Sequence, residues 1–244
     1  MAGGMTMSIA PADLHSGHRD DARSAEPHPD CPLCPRLVSF RHANWAKYPE
    51  WFNAPVPSFG PPDAALLIVG LAPGLRGANR TGRPFTGDYA GVLLYETLLQ
   101  FGFADGSYGE HPDDGLVLKG CRITNAVRCV PPENKPLPDE IAACNGFLSA
   151  SIAGMQGVKA ILALGKIAFD AVLRASGLKL SQCKFAHGAA FDLGNGRKLF
   201  GSYHCSRYNT NTGRLTPAMF HRVFEEVAAH LRPAGNAGYH ARID

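Results

Sequence analysis

The sequence predicts an α/β protein, a three-layer α/β/α sandwich around a mostly parallel central sheet. Two continuous apolar runs, Ala64–Gly70 (AALLIVG) and Val158–Leu164 (VKAILAL), read as strands buried on both faces. Between and beyond them lie segments with helical spacing and distinct start signals. Strand and helix patterns therefore alternate, and such an alternation buries a sheet between two helical layers.

Taken in order, residues 1–28 are polar, rich in His, Asp and Ala, and without hydrophobic periodicity; they read as a disordered tail. A single domain is expected over 29–232. The strand 64–70 is followed by a long loop rich in Gly, Arg and Pro, to Asp88. A helix is predicted over 90–101, with Val92, Leu93, Tyr95, Leu98 and Leu99 on its apolar side. Cys121–Val127 (CRITNAV) reads as a second strand. Pro136 and Pro138, with Asp139 and Glu140, announce a helix running through Ile141, Cys144 and Leu148. After the strand at 158–164, a helix is expected at 166–175, closed by Ser176-Gly177. Residues 189–193 and 198–203, joined by Gly194-Asn195-Gly196, form a predicted hairpin. A last helix starts with Thr216 as N-cap and Pro217 in its first turn. Residues 233–244 read as a flexible tail.

The chain has 244 residues, enough for one large buried core without disulfide staples. Its 27 glycines and 19 prolines point to long, shaped loops, and 18% charged residues is below the usual share of about 25%. The longest apolar run is too short to span a bilayer. The first residues lack the basic and apolar regions of a secretory signal, so the expected location is cytoplasmic. Seven cysteines, an odd number, argue for metal ligation or buried thiols over a disulfide framework. The net charge of +3 is unevenly placed: residues 165–222 hold nine basic residues against two acids. A basic third on a faintly acidic body suits a polyanion-facing surface, although basic runs are as often solvated faces.

Cys31-Pro-Leu-Cys34 is a CxxC pair, and Cys129 and Cys144 form a second, wider pair. Four thiolates suit zinc or an iron–sulfur cluster, and spacing alone does not choose between them. Cys121, Cys183 and Cys205 are expected to be buried thiols.

In open α/β sheets the active crevice lies beyond the carboxyl ends of the strands. The informative loops here, 71–88, 128–137 and 204–215, all follow strands. The first runs from Gly70 to Asp88 as GLAPGLRGANRTGRPFTGD. Its glycine spacing is not that of a dinucleotide fingerprint, and no Gly-Lys-Ser/Thr makes it a P-loop. Glycines let backbone approach a ligand, while Arg76, Arg80 and Arg83 offer charge for phosphate. Asp88 ends the loop, either as a helix cap or as a catalytic carboxylate, and the two roles are compatible. His204, at the end of the last strand, is a candidate acid or electrophile.

Together these segments resemble the uracil-DNA glycosylase superfamily, and family 5 within it, over roughly residues 31–228. The motifs that carry the resemblance are Gly70-Leu-Ala72-Pro73-Gly74, Asn79 to Asp88, Ile123-Thr-Asn125, and His204 to Leu215. The resemblance implies that Cys31, Cys34, Cys129 and Cys144 hold a structural [4Fe–4S] cluster. It implies a monomeric enzyme acting on DNA that contains deaminated bases, in the cytoplasm at the nucleoid. The glycosidic bond of uracil would be hydrolysed after base flipping. Phe85 would stack on the base, Asn125 would bond its Watson–Crick edge, and Gly70, Ala72, Pro73 and Gly74 would line its pocket. Asp88 would position water, and His204 would donate to the departing base. Asn209 would support the pocket or the DNA contact. Arg76, Arg80, Arg83, Arg207, Tyr208, Arg214 and Leu215 would touch DNA, with Arg207, Tyr208 and Leu215 as candidates to fill the gap in the helix.

The first motif departs from family 1, whose Asp and Tyr are replaced by Ala72 and Gly74, so water positioning passes to Asp88. It departs from family 4 in carrying Leu71 where that family has an acid. The basic insertion of the covalently DNA-trapping relatives is absent. Hypoxanthine and xanthine are further expected substrates. The competing expectations are a non-catalytic iron–sulfur DNA-binding protein and a mononucleotide-binding enzyme.

Overall fold

A computed structural model describes residues 25–232. Its core is a five-stranded sheet built from β1 (Leu66–Gly70), β4 (Cys121–Asn125), β5 (Ala160–Leu164), β6 (Ala190–Gly194) and β7 (Arg197–Ser202). The spatial order is β4-β1-β5-β7-β6, parallel throughout except for β6, which runs antiparallel against β7. A separate small ladder pairs β2 (Ala104–Asp105) with β3 (Val117–Leu118). The expected mostly parallel sheet between helical layers is the observed architecture.

Alternate residues of β1 feed opposite cores. Leu66 and Ile68 face α3 (Tyr89–Gln100) and α7 (Pro217–Leu231), where Leu94, Leu98, Phe220 and Phe224 are buried. Leu67 and Val69 face α4 (Pro138–Gly154) and α5 (Lys166–Ala175), where Phe147, Leu148, Phe169 and Val172 are buried. Each such side chain contributes about 1.5–3 kcal/mol on burial, so a strand buried on both sides anchors the fold. Thr216 caps α7 as expected, accepting from the Met219 amide, with Pro217 in the first turn.

Several boundaries differ from the sequence expectation. Strand β4 ends at Asn125; beyond it the Ala126 amide donates to the Gly70 carbonyl at the end of β1, and the Val127 amide to the Leu71 carbonyl in the loop that follows. Cys129 thus lies four residues beyond the strand. The helix α1 (Pro35–Lys47) has no apolar stripe to announce it, since two of its three buried residues, Arg41 and Asn44, are polar. A one-turn helix, α2 (Ala78–Thr81), sits inside the glycine-rich loop, and α6 (Arg207–Asn211) inside the loop after β7.

The expected 1–28 tail is too long at its inner end. Glu26 pairs with Arg122 and with Arg128, whose guanidinium is buried and also donates to the Val56 carbonyl and Ser58 Oγ. Ser151 Oγ donates to the Ala25 carbonyl. A buried cation needs such partners, and the segment at 25–28 supplies one of them. Residues 1–24 and the predicted tail at 233–244 lie outside the described residues. No described helix is long and apolar enough to cross a membrane.

Candidate active site

The chain goes from β1 to β4 on one side and then to β5 on the other. The strand order therefore switches at β1, and ligand crevices form at such points. The register fixes what meets there: Gly70, the last residue of β1, lies beside Asn125, the last residue of β4. On the other side of β5, β7 ends at Ser202 and delivers His204 two residues later.

A pocket of about 390 Å³ opens at this end of the sheet, within the usual size range of small-molecule sites. Its lining includes Ala72, Pro73, Gly74, Phe85, Asp88, Asn125, His204 and Arg207. Three strand-end segments that are distant in sequence thus converge on one hollow. Gly70 lies beneath this floor: a β-carbon there would stand 2.4 Å from Asn125 Oδ1 and 2.7 Å from the Phe85 ring. Only glycine lets the amide and the ring share this space. Gly77 plays the same part for Asp88, where an added β-carbon would come within 2.4 Å of Oδ2.

Asp88 is the N-cap residue of α3, but its side chain makes no capping hydrogen bond. Its Oδ1 is buried without a partner among the described residues. Burial pushes its pKa up, and the nearby Gly91 and Ala90 amides work against that shift. A carboxylate held this way, at the wall of a pocket, is free to accept from water or substrate. Burial drives His204 the other way, down to about 4, so its imidazole is neutral at physiological pH and can donate one hydrogen bond. The His204 and Phe85 rings lie 5.9 Å apart, with planes inclined by 28°.

Asn209 does not line the pocket. The Ser206 hydroxyl caps α6 by accepting from the Asn209 amide, and Asn209 Nδ2 donates to the His204 carbonyl at 2.8 Å. It supports the histidine from behind.

Two expected DNA contacts are corrected. Arg83 is buried: it forms a two-point pair with Asp114 at 2.8 and 2.6 Å, and its Nε donates to Thr86 Oγ1. A guanidinium so engaged is structural and cannot reach phosphate. Leu215 is fully buried in the core beside α3 and α7, so it is not available to enter a duplex. Arg76, Arg80, Arg207, Tyr208 and Arg214 are exposed. Arg207 sits over the Tyr89 ring at 5.1 Å, and Arg214 over the Tyr203 ring at 4.7 Å. The pocket also recruits Tyr89, Asn134 and Ser206, which no motif spacing singled out.

Cys31, Cys34, Cys129 and Cys144 line a second hollow together with Leu37, Arg41 and Phe147. Among the described residues, no three His, Cys, Asp or Glu side chains are arranged to hold a metal ion. The thiols surround the hollow instead, a placement that suits a cluster whose irons each take one thiolate. Burial pushes Cys34 up to about 11 and Cys144 to about 12, so a cation is needed to deprotonate them. Arg41 is buried, and among the described residues its guanidinium donates to Cys129 Sγ and the Cys31 carbonyl. With no carboxylate partner among the described residues, that charge is balanced if the thiols ionise. The donor set and its charge environment fit an anionic iron–sulfur centre.

The family described as the uracil DNA glycosylase superfamily matches residues 57–228. A type-5 uracil-DNA glycosylase of Thermus thermophilus is 46% identical over 203 residues, covering 81% of this chain and 92% of its own length. A type-5 enzyme of Mycobacterium tuberculosis is 42% identical over 206 residues, covering 81% of this chain and 76% of its own. A type-4 enzyme of Thermotoga maritima is 34% identical over 174 residues, covering 71% and 81%. Since the family match spans most of the described chain and the fold and loops agree with it, the protein belongs to the uracil-DNA glycosylase superfamily.

Proposed function

We propose that this protein is a DNA repair glycosylase that flips uracil out of DNA and hydrolyses its N-glycosidic bond, leaving an abasic site. The observation that carries this reading is the single pocket in which Asp88, Asn125, His204 and Phe85 meet. The type-5 relatives, named for uracil-DNA glycosylase activity, support the same substrate.

A base inside a duplex is out of reach, so the nucleotide must leave the stack. The exposed Arg76, Arg80, Arg207 and Arg214 take phosphates, offsetting part of the unstacking cost. Tyr208, 71% exposed at the start of α6, is the side chain placed to enter the vacated space. The flipped base stacks on Phe85, and the Asn125 amide pairs with its edge. The glycosidic bonding electrons leave with the base while positive charge builds on the sugar. Neutral His204 donates to the base oxygen that becomes anionic, and ionised Asp88 stabilises the sugar cation and orients the water that adds to it. Donors already in place cost no reorganisation when the charge develops.

The small residues Ala72 and Gly74 line the pocket and leave room beside the base. Hypoxanthine and xanthine are therefore proposed as further substrates. Cys31, Cys34, Cys129 and Cys144 would hold a [4Fe–4S] cluster, which when bound supplies a cross-link joining the 31–34 segment, the loop after β4 and α4. The pocket is complete within one chain, which supports action as a monomer, and the substrate places the enzyme with chromosomal DNA in the cytoplasm.

The test is incubation with duplexes carrying uracil, hypoxanthine or xanthine, followed by alkaline cleavage at abasic sites. Strand cleavage with uracil duplex is the expected result. DNA binding without base release would instead identify a non-catalytic DNA-binding protein.

A further inference from the structure

Phe85 has a backbone φ of +56°, in the left-handed region that non-glycine residues avoid. Such strain persists only where surrounding groups hold it. The holding groups are specific. Tyr108 Oη donates to the Phe85 carbonyl at 3.1 Å, and Tyr95 Oη donates to the Pro84 carbonyl at 2.6 Å. The two tyrosine rings stack with centroids 4.6 Å apart. Arg83 lies over both rings, at 5.4 and 5.9 Å, and is locked by its pair with Asp114. Asp114 in turn accepts from the Gly109 and Leu116 amides, which ties the 105–116 segment to the pocket wall. Burial pushes the Tyr108 hydroxyl up to about 12, which keeps it a donor at working pH. From the opposite side, Gly91 leaves no slack: a β-carbon there would stand 1.9 Å from the Phe85 carbonyl oxygen and 2.3 Å from Tyr108 Oη.

We infer that Tyr108 is a positioning residue for base excision: its hydrogen bond to the Phe85 carbonyl holds that residue's strained backbone so that the ring forms the stacking surface for the flipped base. This rests on the proposed base-stacking role of Phe85. Nothing in the motif spacing marks Tyr108, which lies outside every matched motif, between the two short strands β2 and β3.

The experiment compares full-length wild type, Tyr108→Phe, Gly91→Ala and Phe85→Ala. It measures single-turnover uracil release and affinity for duplexes carrying an abasic site or a non-cleavable 2′-fluoro-deoxyuridine. Tyr108→Phe keeps the ring and removes one hydroxyl, so the fold is retained. The expected result is a roughly tenfold fall in release rate and in affinity for the fluorinated uracil duplex, with abasic-site affinity unchanged, because a product lacking the base does not use Phe85. Gly91→Ala, which displaces the same carbonyl, is expected to show the same split. A Tyr108→Phe release rate within about twofold of wild type, while Phe85→Ala loses activity, overturns the inference and leaves the base-stacking reading intact. A parallel fall in abasic-site affinity also overturns it, as general disruption. Wild-type activity in Phe85→Ala, or no uracil release by wild type, instead overturns the underlying reading.

Discussion

Asn209 reaches back along its own short helix and donates from Nδ2 to the His204 carbonyl at 2.8 Å, so the residue that faces the pocket and the residue that holds it are five positions apart. Removing this bond frees the His204 backbone without touching its imidazole. Asn209→Ala is expected to lower single-turnover uracil release by about tenfold, less than the roughly 10²–10³ expected for His204→Ala. Equal losses in the two variants would mean that Asn209 acts directly on the substrate.

Asp88 carries a buried oxygen without a partner, and burial raises its pKa. A folded-state pKa above the unfolded value means that ionising this group costs stability, and the cost persists at every pH above both values. Asp88→Asn is therefore expected to raise the melting temperature while lowering uracil release by about 10²–10⁴-fold. Calorimetry and single-turnover kinetics on one preparation check both halves.

The pH profile follows from the same two groups. Activity requires ionised Asp88 and neutral His204, so it is lost as pH falls through the raised pKa of Asp88 and the value of about 4 for His204. No inflection is expected at the usual histidine value of about 6.5. Stability is expected to respond differently. The unfolded histidine gains a proton below about 6.5 while the folded one resists until about 4, so His204 makes the fold lose stability as pH drops through that window. A rate profile centred near 6.5 would contradict this assignment.

Arg83 and Arg80 are near neighbours with opposite expected phenotypes. Arg83→Ala leaves Asp114 buried and unpaired, at a cost of about 3–5 kcal/mol in unfolding free energy. Arg80→Ala is expected to leave stability nearly unchanged and to reduce the salt slope of DNA binding by about 1. Denaturant unfolding and binding at several salt concentrations separate the two.

Cys129→Ala is expected to lower bound iron, visible absorption and melting temperature together. Cys121→Ala removes a more deeply buried thiol in the opposite core and is expected to leave iron content unchanged. Iron loss in both variants would argue against the four-cysteine assignment.

Much of the site was legible because strand-end loops carry chemistry in α/β sheets. Gly70 and His204 could be placed at strand ends from the apolar runs alone, whereas Asn125 lay inside the strand expected at 121–127 and proved to be its last residue. One arginine-loop reading, that of Arg83, failed for a physical reason. Sequence shows charge but not whether a carboxylate waits for it, and Asp114, 31 residues from Arg83, turns that cation inward. Leu215 failed because a lone leucine in a polar loop looks exposed until α3 and α7 close over it. Helix α1 was illegible because its buried face carries Arg41 and Asn44, and polar residues there defeat an apolar period.

By itself, the sequence determined the alternation of strands and helices and the CxxC pair, since these depend on residue type and short-range spacing, while the roles of the candidate reactive groups came from the family resemblance. The tertiary structure alone decided which groups work as partners: the unpartnered oxygen of Asp88, the neutral state of His204, and the tyrosine hydroxyls behind Phe85. Those properties arise from burial and from contacts between distant segments, and both exist only once the chain has closed on itself.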